Sequence, residues 1–246
     1  MSGASDPIRI FIGYDPREAV AFHVLSHSIQ RRASVPVSIT PLMLSQLDGL
    51  MWRSRHKLQS TDFSFSRFLT PYLSGYSGWS LFMDCDMLVL DDIADLWALR
   101  DDAYAVQVVK HEHMPPEATK FLHQPQTAYE KKNWSSVMLF NNAECAALTP
   151  DYVNSASGLE IHRFHWLAGD HLIGDLPHRW NHLVDYDPEV PVSEVSNLHF
   201  TTGGPYFDEY RNCGYAEEWF AERDRMLHAG VQEGPALKLV SRRATI

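Results

Sequence analysis

The sequence predicts an α/β fold: one Rossmann-like domain around a mostly parallel central sheet. Three observations carry this expectation. The chain opens strand–helix–strand, it returns repeatedly to short apolar runs, and its 246 residues pass without a clear linker. Short continuous apolar runs bounded by Gly, Pro or Asp read as strands covered on both faces, as parallel strands are. Parallel neighbours need a crossover, which is right-handed. The length suits one large domain or two small ones. Residues 1–230 read as a single domain, and the Pro- and Gly-interrupted residues 231–246 as a mobile tail.

The elements follow in order. Ile8-Arg9-Ile10-Phe11-Ile12 is a strand closed by Gly13. Asp15-Pro16-Arg17-Glu18 opens a helix. Asp15 is the cap, Pro16 fills the first helical position, and Glu18 has capping-box spacing. Val20, Val24, Leu25, Ser28 and Ile29 give that helix one apolar stripe to about Arg31. Pro36 ends the connection, and Val37 to Thr40 is the second strand. Ligands gather at the carboxyl ends of such strands, which places Gly13, Tyr14 and Asp15 beside one. A helix over Phe65 to Leu73 and a turn bearing Gly75 and Gly78 lead to Trp79-Ser80-Leu81-Phe82-Met83. This buried strand ends in Asp84-Cys85-Asp86. Leu88 to Leu90 continues extended, and Asp91-Asp92 starts a short helix through Leu99. Tyr104 to Val109 and Val137 to Phe140 are further strands. Helices are expected near Leu148 to Asn154 and Ala216 to His228.

Composition excludes several classes. Thirty-one acidic against twenty-one basic residues give a net charge of −10. That disfavours nucleic acid, whose phosphates want a basic face. A phosphorylated small molecule stays open, because a bound divalent cation reverses the local field. Cys85, Cys145 and Cys213 are scattered and odd in number, so they form neither a disulfide framework nor a zinc spacing. With no apolar stretch of signal or membrane-span length, the protein is expected to be soluble and cytoplasmic.

Eighteen aspartates in 246 residues give about one Asp-x-Asp pair by chance, so context must decide. Asp185/Asp187 precedes Pro188 and reads as a turn. Asp84/Asp86 ends a buried strand, where a period of two puts both carboxylates on one face. Hard oxygen ligands there suit Mn²⁺ or Mg²⁺, with phosphate oxygens or water completing the shell. A haloacid-dehalogenase phosphatase would carry this pair on its first strand, followed by a small pair. Here Met87-Leu88 follow a later strand. No Gly-rich phosphate loop follows the first strand, which disfavours a sugar nucleotidyltransferase.

The stretch from Trp79 through Asp84-Cys85-Asp86 to Trp97 resembles the Asp-x-Asp region of glycosyltransferase family 8, the glycogenin and bacterial galactosyltransferase group. The resemblance extends to Ile10-Phe11-Ile12-Gly13-Tyr14-Asp15, to Ser66-Arg67-Phe68, and to Ser135-Ser136-Val137-Met138-Leu139-Phe140-Asn141. It continues through Gly169-Asp170-His171 and Asn197-Leu198-His199-Phe200. The order of these segments between Ile8 and Tyr206 is the strong signal. It implies a GT-A fold and retaining, metal-dependent transfer of a hexose from a UDP-sugar to a glycan or other small acceptor. Asp84, Asp86 and His199 would hold Mn²⁺, with Mg²⁺ as the alternative. The cation would assist the departing UDP as a Lewis acid. Gly13, Tyr14 and Asp15 would border the uridine, Arg67 would meet the donor sugar or diphosphate, and Cys85 lies within the donor-binding run. Asp170 and His171 would be the catalytic pair, Asp170 reaching the sugar hydroxyls near the reacting carbon. Asp170 has an equal reading as a helix cap.

Three departures stand out. His171 replaces the family's Gln, and Trp134-Ser135-Ser136 replaces Asn-Ala-Gly, which narrows the sugar pocket. Gly204-Pro205-Tyr206 replaces Lys-Pro-Trp, so the lysine facing the diphosphate is missing; Arg211 is one candidate substitute. These departures support an alternative function, a non-catalytic sugar-nucleotide or carbohydrate-binding protein. Three further features read as structural. His178 and His182 have zinc-pair spacing, but Arg179 stands where a zincin carries Glu. His111-Glu112-His113 reads as a solvated loop, with an acceptor-facing lid as its functional alternative. Trp166, Trp180 and Tyr206 read as core aromatics before sugar-stacking ones.

Overall fold

A computed structural model describes residues 6–55, 59–112, 119–120, 124–125 and 131–228. The expected tail lies outside these residues. The elements are β1 (Ile8–Gly13), α1 (Ala19–Arg32), β2 (Val37–Leu42), α2 (Thr70–Leu73), β3 (Trp79–Met83), β4 (Met87–Val89), α3 (Ile93–Trp97) and β5 (Val106–Val108). Then come β6 (Thr119–Lys120), β7 (Gln124–Pro125), β8 (Val137–Asn141), α4 (Pro150–Ser155), α5 (Gly158–His162), β9 (Ile173–Asp175), β10 (His182–Leu183), β11 (Asn197–His199) and α6 (Ala216–Leu227).

The central sheet has the order β2-β1-β3-β8-β5-β9. Strands β2, β1, β3, β5 and β9 run one way, and β8 runs against both of its neighbours. The sheet is therefore mostly parallel, as expected. The carboxyl ends of β1, β3, β5 and β9 share one edge, and the chain leaves that edge at Tyr14, Asp84, Val109 and Leu176. A smaller sheet, β10-β11-β4, stands beside it. Apolar side chains from β1, β3, β5 and β8 fill the main core. Val24, Leu88, Leu198, Phe200 and Trp219 form a second core under the small sheet, between α1 and α6.

Three local expectations change. The first helix splits, because Asp15 caps a 3-10 turn, Pro16–Glu18, before α1 begins. Glu18 does not close a capping box; its carboxylate accepts from the Tyr206 hydroxyl at 2.7 Å. The helix over Phe65 to Leu73 is a 3-10 turn, Ser66–Leu69, running into α2, where Pro71 lies in the first turn. Asp84-Cys85-Asp86 lies on no strand. It is the bend where the chain leaves β3 in the large sheet for β4 in the small one.

Candidate active site

The Asp84–Asp86 bend joins two sheets, and each sheet supplies part of the site. In the large sheet Met83 pairs with Val137 of β8, and the Asp84 N–H donates to the Ser136 carbonyl at 2.9 Å. In the small sheet β4 pairs antiparallel with β11, opposing Met87 to His199, and the Phe200 N–H donates to the Asp86 carbonyl at 2.8 Å. Two backbone ladders therefore bring Asp84, Asp86 and His199 together. All three are buried, and one ligand atom from each lies within 4.8 Å of the others. Cys85, between the carboxylates, turns into the core and is fully buried. Burial pushes its thiol well up, and the charges of Glu18, Asp86, Asp84 and Asp15 add to that.

A hydrogen-bond chain fixes the His199 ring. The Ser136 hydroxyl donates to the Asn133 carbonyl at 2.6 Å, so its oxygen is left to accept from the Asn181 amide at 2.9 Å. The Asn181 oxygen then faces His199 Nδ1 at 2.9 Å and accepts its N–H. In the neutral ring the lone pair is thus on Nε2, which faces Asp86 Oδ1 at 3.4 Å. A ring nitrogen and a carboxylate oxygen facing each other in this way could share a cation. Two carboxylates with one oriented imidazole nitrogen form a donor set that fits Mn²⁺ or Mg²⁺. The bond from Nδ1 to an outer acceptor is the usual way such a ligand is oriented.

Arg67 does not project freely toward a donor. It is buried, and its Nη1 lies 2.9 Å from Asp84 Oδ1 and donates to the Ser135 carbonyl at 2.8 Å. Its place is behind the first carboxylate. Asp15 is also buried and engaged: it pairs with Arg17 and accepts from the Asp62 N–H at 3.1 Å. Burial pushes the Asp15 carboxyl up, but the Arg17 hydrogen bonds and charge outweigh this and hold it below its ordinary value. Gly13 has a packing reason to be glycine, since a methyl group there would sit 2.3 Å from the Phe63 ring. Tyr14 is half-buried against Phe22.

Asp170 and His171 are exposed, in a 3-10 turn at the amino end of β9, a strand three places from β3 in the sheet. Gly169 occupies the cap position in place of Asp170, whose carboxylate accepts from Lys131 Nζ at 2.5 Å. Lys131 also lies over the Trp134 ring, 5.8 Å from its centroid. Neither Lys131 nor Asn181 was identified from the sequence. Asn181 carries no motif, but its position just before the strand parallel to the His199 strand is a usable signal. Trp166 and Trp180 are core residues, as read. Arg211 sits over the Phe220 ring of α6.

Solved glycosyltransferases share this fold. GlyE of Streptococcus pneumoniae TIGR4 superposes with a TM-score of 0.59 at 13% identity, over 91% of this chain and 63% of that one. WbbM, a bifunctional enzyme, gives 0.52 at 14%, over 90% of this chain. The galactosyltransferase LgtC, solved in complex with donor and acceptor sugar analogs, gives 0.55 at 14%, over 93% and 98%. The chain spans 52% of the length of WbbM and 63% of that of GlyE. The class is defined by the fold: a glycosyltransferase fold of the GT-A type. No family model matches the sequence. The chain belongs to the family of Protein CDI of Arabidopsis thaliana, with which it shares 46% identity over 230 residues, 91% of this chain and 88% of that protein.

Proposed function

We propose that this protein is a retaining, metal-dependent glycosyltransferase of the family 8 type. It would move a hexose from a UDP-sugar to a glycan or other small acceptor. The observation that carries the reading is the convergence of Asp84, Asp86 and His199 at the sheet edge of a glycosyltransferase fold. That LgtC was solved with donor and acceptor sugar analogs adds support. Asp84, Asp86 and His199 would hold Mn²⁺, or Mg²⁺ in its place. When bound, the cation supplies Lewis-acid stabilisation to the departing diphosphate. Arg67 positions Asp84, and Asn181 positions His199. Gly13, Tyr14 and Asp15 border the nucleoside. Asp170 and His171 precede β9, at its amino end, and Lys131 ties the Asp170 carboxylate to the segment before β8; on the resemblance they would meet the sugar end of the donor. Catalysis by such a set rests on positioning and electrostatics.

The reading also places the protein in the cytoplasm. Among the described residues no helix is long and apolar enough to cross a membrane, and all three cysteines are free.

A second reading, a sugar-nucleotide-binding protein without turnover, draws on Tyr206 and Arg211. The segment where the family carries its diphosphate lysine turns Tyr206 onto Glu18 and Arg211 over Phe220. Thermal shift with UDP, with and without Mn²⁺, tests the donor site, and hydrolysis of UDP-sugars separates the two readings. A UDP shift that requires Mn²⁺, together with turnover, is the expected result. A shift without turnover of any UDP-hexose would favour the binding protein, and no shift with UDP and Mn²⁺ would overturn both.

A further inference from the structure

The same sheet edge carries a second cluster, richer in nitrogen. His111 follows β5, His178 follows β9, and Asp187 follows β10. One ligand atom from each lies within 4.8 Å of the others. His178 Nε2 is 3.3 Å from Asp187 Oδ2. The rings of His111 and His178 lie 5.1 Å apart at 73°. A tetrahedral zinc site with bonds of about 2.0–2.1 Å has ligands about 3.3 Å apart, so the His178–Asp187 pair already has that spacing.

The surroundings also match a ligand set. Asp187 Oδ2 accepts from the Leu183 N–H at 2.6 Å, and the His111 carbonyl accepts from the Trp134 indole at 3.0 Å. His182 approaches the same carboxylate oxygen at 3.9 Å through Nδ1. Its Nε2 is buried without a hydrogen-bond partner among the described residues, an unanswered polar atom beside the cluster. Such outer partners orient metal ligands.

We infer that His111, His178 and Asp187 form a second metal site, separate from Asp84/Asp86/His199, that takes a borderline divalent cation of the Zn²⁺ class. The donor chemistry sorts the two sites. Two imidazoles and one carboxylate favour Zn²⁺ over Mn²⁺ or Mg²⁺, whereas two carboxylates and one imidazole suit the harder ions. The cation would join the segments leaving β5 and β9 to the turn after β10. Through Trp134 it would stiffen the rim that runs to Ser135 and Ser136 behind the first site. The inference needs no glycosyl transfer and stands apart from the proposed function.

The test is metal retention. Full-length protein is stripped with a chelator, loaded with Zn²⁺ in the presence of excess Mg²⁺, desalted and assayed for zinc. Wild type, His178→Gln and Asp86→Ala are compared, and the UDP/Mn²⁺ thermal shift is recorded on the same samples. His178 is exposed, so its variant should fold. The expected result is about one zinc per chain in wild type and in Asp86→Ala. In His178→Gln zinc affinity should fall at least about tenfold, the lower end for loss of even an outer partner. Co²⁺ in place of zinc should give a visible ligand-field spectrum that the His178 variant loses. Absence of zinc from wild type would overturn the inference, as would zinc lost with Asp86 but kept without His178. Equal zinc in all three proteins would place it on other donors and overturn it too. A zinc site that persists while the UDP/Mn²⁺ shift fails would count against the proposed function alone.

Discussion

Two buried ionic centres in this protein have opposite charge balance. Glu222 of α6 is fully buried. Arg31 Nε at 3.1 Å, Arg32 Nη2 at 2.9 Å and Arg225 Nη1 at 3.6 Å surround it, with His27 Nδ1 at 2.7 Å. One carboxylate there faces three guanidinium groups, and the cluster fastens α6 to α1. At the Asp84–Asp86 bend two carboxylates lie beside one guanidinium, Arg67 Nη1 at 2.9 Å from Asp84 Oδ1, and one imidazole, His199 Nε2 at 3.4 Å from Asp86 Oδ1. Buried charge is tolerated when it is paired. At Glu222 three guanidinium groups outnumber one carboxylate, whereas at the bend two carboxylates share one guanidinium, the balance that the proposed cation would shift. Burial marks both centres; charge balance is what separates a clasp from a binding site.

The sharpest way to break this comparison is to remove the two aspartates separately. Asp86→Ala should weaken Mn²⁺-dependent UDP binding by more than about 100-fold, beyond the loss caused by an outer partner. In chelator its stability should hold or rise, because the Asp84–Arg67 pair is left balanced. Asp84→Ala should lose the metal and also about 3 kcal/mol, because it leaves the Arg67 guanidinium buried without its carboxylate. Urea unfolding in chelator reads the stability difference, and calorimetry with Mn²⁺ and UDP reads the binding. Equal stability losses for the two variants would mean that the bend carries no excess negative charge.

The Glu222 clasp should respond to pH. Burial raises its carboxyl, but the hydrogen bonds and charges of Arg31 and Arg32 outweigh this and bring it down to about 2 from an ordinary 4.5. A folded-state value below the unfolded one stabilises the fold fully above pH 4.5, and the contribution fades as pH falls from there toward 2. Allowing for solvent screening of the partly exposed Arg31 and Arg225, the contribution is about 2 kcal/mol. Glu222→Gln should be less stable than wild type by that amount near pH 7. In urea unfolding at about pH 3 the gap should be well under that. A gap that did not change with pH would show that packing, not charge, holds α6.

Much of the fold was legible because local signals and burial agree. The expected strand Trp79 to Met83 is β3, and the apolar stripe of α1 packs at Val24, Leu25, Ser28 and Ile29, while Val20 at its start is exposed. The Asp84/Asp86 pair was legible too, but for a reason that needed correcting. The two carboxylates converge because the chain crosses between sheets, and a period of two along one strand would not have shown His199 or its β4–β11 pairing. Arg67 was identified, but its partner was not: a helix-borne arginine does not reveal that Asp84 lies 2.9 Å away. The His111, His178 and Asp187 cluster was not legible as one: His178 was read with His182, His111 as part of a loop and Asp187 as part of a turn. Its members lie far apart in sequence, and only the shared edge of β5, β9 and the small sheet brings them together.

The finest test of the comparison is Asn181, which has no charge of its own. Its amide lies between Ser136 and His199, donating to the first and accepting from the second. Asn181→Ala removes the acceptor that keeps the proton on Nδ1, and the ring can then put its N–H toward Asp86. That hydrogen bond would compete with the proposed cation for Asp86 Oδ1. Mn²⁺ affinity should fall about 10- to 100-fold, the usual effect of losing an outer partner. Asn181→Asp separates this from simple loss of packing. A carboxylate there accepts the same Nδ1–H and makes the ligand more basic, so Mn²⁺ binding should return to at least the wild-type level. The extra buried negative charge should make the metal-free protein less stable. Rescue of binding with loss of metal-free stability is the signature of a centre built around a missing positive charge. If both variants bound Mn²⁺ like wild type, the orientation of His199 would have no part in the site.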